Sequence, residues 1–128
     1  MQEQSRDIGQ QFMDFCKADA LVSSLARAQI EHNIVWTQAD INHVMQQTRC
    51  VFSLDDLQFK YALLTQPEYV MAKNDVSAAL ESFDPRDASA RSRLKALTSY
   101  RDKLHYEIAQ KYPGLVLYAA SQQPDYLA

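Results

Sequence analysis

From Asp7 to His32 the apolar positions Ile8, Phe12, Phe15, Val22, Ala26 and Ile30 recur at intervals of three, four and seven residues. That spacing puts side chains on one face of a helix. Cys16 sits at the edge of the stripe. Asp19 falls inside it, either as a polar interruption or as the N-cap of a second helix starting at Ala20. Asn33 is the expected stop. Thr37-Gln-Ala-Asp40 then reads as a capping box with Asp in place of Glu. The helix after it places Ile41, Val44, Met45, Thr48, Val51 and Phe52 on one face.

Ser53-Leu-Asp-Asp56 is a second box of the same kind. Its helix carries Leu54, Leu57, Tyr61 and Leu64 on one face, with Phe59 and Leu63 off it. Apolar residues on two sides predict a central helix or one that touches a partner. Thr65-Gln-Pro-Glu68 is a third box with Pro67 near N1. Asn74 and Asp75 interrupt the next stripe and predict a break, with Asp75 capping a short helix to Phe83. Asp84-Pro-Arg-Asp87 opens the last long helix, near 85–112, which Pro113-Gly114 ends. Its stripe is Ala90, Leu94, Leu97, Leu104 and Ile108, with Arg101 in the middle and Tyr112 at the edge. The tail from Leu115 is ambiguous, and packing against the bundle is favoured because a lone strand is marginal in water.

The fold class is therefore all-α: a compact bundle of about four to six helices in a single helical domain spanning 1–128. Composition agrees. In 128 residues there are only two glycines and four prolines, with 47% hydrophobic and 23% charged residues. A sheet protein spends more glycine on hairpins, and a disordered chain has fewer large apolar groups. No apolar run approaches the ~20 residues of a membrane span. The N-terminus lacks the basic start and apolar stretch of a signal peptide. Cys16 and Cys50 lack metal-type spacing. The expectation is a soluble cytoplasmic protein with unlinked thiols, no membrane association and no cofactor.

Chemistry is sparse. There is no Gly-x-Ser-x-Gly, and two glycines cannot build a P-loop or a dinucleotide fingerprint. Asp40-Ile-Asn-His43 has i,i+3 spacing, yet no second Glu-x-x-His supplies the rest of a di-metal site, so no metal is expected. Arg101-Asp-Lys-Leu-His105 resembles the Arg/His pair of helical ribonucleases of the HEPN type. The gap is three residues where those enzymes have four to six, and Asp102 stands at the usual polar position. The resemblance implies a fixed cation at Arg101 and an acid–base at His105, which meet on one face at i,i+4.

Arg101 also has a plainer reading. A charge inside an apolar seam needs a partner, and Asp19 occupies the same kind of position on the first helix. A structural ion pair between Asp19 and Arg101 is therefore expected. The alternative is that Arg101 lays its stem on the core and keeps its head in water.

Net charge is −3, which gives no global attraction to nucleic acid. The local exception is 86–103, where Arg91, Arg93 and Lys95 are the candidate nucleic-acid contacts. These cations spread around the helix. In a helix-turn-helix reading of 37–64, Asp55 and Asp56 at the start of the second helix repel phosphates. The last third is rich in tyrosine, a residue of interfaces. Tyr112, Leu115, Leu117, Tyr118 and Tyr126 are thus the candidate partner-contact residues, with the edge of the core as their alternative place. The expected function is a non-catalytic protein-binding module, with another protein or a second copy as partner. Nucleic-acid binding and Arg101/His105 hydrolysis are the rivals.

Overall fold

A computed structural model of the chain describes residues 8–118. It contains five helices in the order α1 (Ile8–His32), α2 (Gln38–Thr48), α3 (Leu54–Thr65), α4 (Pro67–Glu81) and α5 (Ala88–Ala109). Among the described residues there is no strand, and no helix is long and apolar enough to cross a membrane. α1 packs chiefly on α3 and α4 on α5, while α3 also touches both α4 and α5.

Local sequence explains most boundaries. α1 runs unbroken through Asp19 and stops at Asn33, whose φ of 55° is left-handed, a region Asn tolerates. The Trp36 indole then donates to the Leu25 carbonyl at 2.9 Å, folding the connection back along α1. At α2 and α3 both boxes form reciprocally. Thr37 Oγ1 accepts from the Asp40 amide while Asp40 accepts from the Thr37 amide. Ser53 and Asp56 do the same. α2 ends at Arg49 in a left-handed conformation, φ 62°. Val51 and Phe52 therefore lie in the connection, Val51 exposed and Phe52 buried.

Three boundaries differ from the expectation. Thr65 does not cap α4: its hydroxyl donates back to the Tyr61 carbonyl at 2.8 Å, and Pro67 simply occupies the first turn. Asn74 and Asp75 do not break α4, because both lie on the exposed side while Ala72 and Val76 keep the buried stripe continuous. The last helix starts at Ala88 rather than 85. Asp84 spends its carboxylate on the Arg86 amide and guanidinium, closing a separate turn, and Asp87 is the cap.

α3 is the hub. Leu57, Phe59 and Asp56 are fully buried, with Ile41, Val22, Ala26, Leu104 and Ile108 around them. The described residues beyond α5 stay on the bundle. They tighten through three-residue turns at Lys111 and Tyr112 and run back over the start of α3, ending with Tyr118 in the core.

Candidate functional site

The densest polar construction in the molecule is the N-terminus of α3. Asp56 has no exposed surface and accepts from four backbone amides. Ser53 donates at 2.7 Å from within the box; Val116 (3.2 Å), Leu117 (2.9 Å) and Tyr118 (3.2 Å) donate from the tail. Asp55 accepts from the Gly114 amide at 2.6 Å, and the Ser53 hydroxyl donates to the Gly114 carbonyl at 2.7 Å. A buried carboxylate is tolerated only when its lone pairs are filled, and the tail's main chain fills these. The helix N-terminus adds a favourable dipole for both acids.

This clamp sets the tail so that Tyr118 plugs the space between α1 and α3. Its ring meets Phe59 edge-on at 5.6 Å and Phe15 at 6.1 Å. Its hydroxyl donates to Asp19, and Lys60 pairs with the same carboxylate at 3.1 Å while lying 5.2 Å from the ring centroid. The expected Asp19–Arg101 pair is thus corrected. α3 is the main neighbour of α1, so Lys60 on α3 reaches Asp19, whereas α5 packs chiefly on α4. Arg101 turns to its own neighbour Asp102, at 3.0 Å through Nε and 2.9 Å through Nη2.

Of the candidate partner-contact residues, Tyr118 is 4% exposed, and Tyr112, Leu115 and Leu117 are part-buried at the edge of the core, the alternative place the sequence allowed for them. Tyr126 lies outside the described residues.

His105 does not sit in a solvent-facing cleft beside Arg101. Its ring lies edge-on to Phe59 at 5.0 Å and 6.0 Å from Tyr69. Nδ1 is buried without a hydrogen-bond partner. Burial holds the imidazole below its ordinary value of 6.5, against a smaller opposing pull from Asp102. Burial likewise raises the Tyr69 phenol. With Arg101 occupied by Asp102, the pair presents no free cation beside a titrating ring, which phosphate chemistry needs. Arg91, Arg93 and Lys95 are exposed on α5, and the Arg91 guanidinium donates to the Pro85 carbonyl at 2.6 Å. Among the described residues no group of three His, Cys, Asp or Glu side chains is placed to hold a metal ion.

No family model, curated protein or solved structure matches the chain. The site must be read from geometry alone.

Among the described residues, three exposed apolar side chains stand close together at the start of α1. Ile8, Phe12 and Met13 are 82%, 63% and 64% exposed. Ile8 and Phe12 continue, at helical spacing, the stripe that Phe15, Val22 and Ala26 present to the core. Beside it, α1, the 48–51 connection and the tail enclose an open groove with a volume of about 480 Å³. Phe15, Ala18, Val51 and Leu117 floor it; Asp14, Lys17 and Arg49 edge it. Cys50 lines it as well, with no histidine among the lining residues to activate the thiol. The signal was present in the sequence, since Ile8 and Phe12 stood in the first stripe. What periodicity does not show is that the bundle ends before the stripe does.

Proposed function

We propose that this chain is a non-catalytic protein-binding module whose partner lies along the N-terminal half of α1. The observation that carries this reading is the overhang of α1. Its 25 residues span about 37 Å, while the 12 residues of its main neighbour α3 span about 18 Å. Among the described residues, Ile8, Phe12 and Met13 on the first turns of α1 are exposed. Burying each is worth about 1.5–3 kcal/mol, and a contiguous exposed apolar surface of this kind marks an interaction site.

The occupant that fits is an amphipathic helix of a partner protein, offering apolar anchors at i, i+3 or i+4, and i+7 to the bare stripe. The role is that of a small adaptor, an inhibitory or chaperone-like partner, or a subunit of a larger assembly. The test compares the wild type with an Ile8→Glu, Phe12→Glu double variant and an Arg91→Glu, Arg93→Glu, Lys95→Glu triple variant. Sedimentation records self-association, and native pull-down with intact-mass detection records a stoichiometric partner. The expected result is a protein partner lost in the α1 variant and kept in the α5 variant. Pairing with a second copy through α1 replaces the partner protein by the chain itself. Nucleic acid retained by the wild type and lost in the α5 variant overturns the reading.

A further inference from the structure

His105 stands where α3, α4 and α5 meet, and its surroundings suit a neutral ring only. Phe59 of α3 and Tyr69 of α4 press on it at 5.0 Å and 6.0 Å. Nδ1 is buried and faces no acceptor. A second ring proton would sit on that nitrogen as an unpaired buried donor carrying positive charge, an expensive combination.

The charged neighbours do not relieve it. From α3 comes Lys60, a like charge already engaged by Asp19 of α1. From α4 comes the phenol of Tyr69, which offers no charge near neutrality. On α5 itself are Arg101, again a like charge, and Asp102, the one group that favours the proton. Asp102 is held by Arg101 through two nitrogens, and burial together with the two cations outweighs its pull on the ring. His32 and His43 lie on exposed surface.

We propose that the α3–α4–α5 seam is an acid-sensitive joint: the neutral His105 ring lets α5 and the tail it carries close on α3, and a doubly protonated ring loosens them. This inference does not depend on what α1 binds. α5 leads directly into the Gly114–Tyr118 segment clamped by Asp55 and Asp56, so loosening the seam also frees the plug between α1 and α3. The ring's affinity for protons is lowered by folding, so stability from this group is fully present above about pH 6.5. Below that the unfolded chain takes a proton that the folded chain refuses, and the folding constant falls by up to about tenfold per pH unit. The loss levels off once the folded ring also protonates.

The experiment is urea unfolding at pH 7.5 and 5.5 of the wild type and of His105→Gln. Other carboxylates titrate in both proteins, so only the difference counts. Between these pH values the wild-type folding constant is expected to fall further than that of the variant, by up to about tenfold. Equal falls overturn the proposal. Should His105→Gln not fold, NMR titration of wild-type His105 decides. His105 is expected to titrate below the ordinary value of 6.5, with hydrogen exchange in the last turns of α5 rising at pH 5.5. A His105 midpoint at or above 6.5, or exchange in α5 that ignores pH, sinks it.

Discussion

Asp40 and Asp56 occupy the same position in two capping boxes of the same pattern, and structure gives them unequal tasks. Asp40 closes its box near the surface. Asp56 closes its box and also receives three tail amides in the core. Asp56→Asn puts an amide NH₂ among N–H donors and is expected to cost about 3 kcal/mol, the scale of hydrogen bonds to a buried charge. Asp40→Asn is expected to cost about 1 kcal/mol or less. Equal losses in urea unfolding would show that the tail contributes nothing through Asp56. The boxes were legible from the spacing of Ser, Thr and Asp. The second task was not, because the partners of Asp56 are backbone amides about sixty positions away, and a backbone amide has no letter. Gly114 has a similar hidden constraint: a Cβ there meets Asp55 Oδ2 at 2.6 Å. Gly114→Ala is expected to cost about 1 kcal/mol by expelling Asp55 from the Gly114 amide, and much less in an Asp55→Ala background. Arg49 runs the other way. Its left-handed φ of 62° favours glycine, so Arg49→Gly is expected to raise stability by about 1 kcal/mol, read as a higher urea midpoint.

Between elements, the question is which helix stands beside which, and pattern alone did not answer it. Helix count, class and the central place of α3 followed from periodicity, since α3 alone carried apolar residues on two sides. The pairing of Asp19 with Arg101 rested on both charges lying in apolar stripes, whereas the partner is Lys60 on α3, the helix that packs on α1. The expected break at Asn74–Asp75 assumed that polar residues end a helix, whereas on an exposed face they only decorate it. The pairing has a direct check. Lys60→Met leaves the part-buried Asp19 with the Tyr118 hydroxyl alone and is expected to cost about 1–2 kcal/mol. Arg101→Met removes a part-buried pair between adjacent residues of one helix, which ties no two elements together, and is expected to cost less, about 0.5 kcal/mol. The reverse order, measured by urea unfolding, would place the structural charge pair on Arg101 after all.

At the scale of the whole molecule, the tail joins the two halves that helix packing leaves weakly connected. α1 packs on α3, α5 packs on α4, and the Gly114–Tyr118 segment starts from α5 and ends between α1 and α3, tied by main-chain bonds to Asp55 and Asp56. Ending the chain at Pro113 removes this segment together with the residues that follow it. A chain ending at Pro113 loses the aromatic contacts of Tyr118 with Phe15 and Phe59 and leaves the Asp56 carboxylate buried with most of its donors gone. Aromatic truncation in a core costs about 3–5 kcal/mol, and an uncompensated buried charge costs several more. The expected outcome is a chain that unfolds at far lower urea, or does not fold. The cause can be separated from mere loss of apolar area by adding Asp56→Ala to the shortened chain. In the full-length protein that substitution is strongly destabilising, because it orphans four amides. In the shortened chain three of those amides no longer exist, while the stranded charge is removed, so the same substitution is expected to restore part of the stability. A substitution that changes sign between the two backgrounds is the signature of a carboxylate kept in the core to hold the tail; one that destabilises both by the same amount would mean that Asp56 only caps its helix.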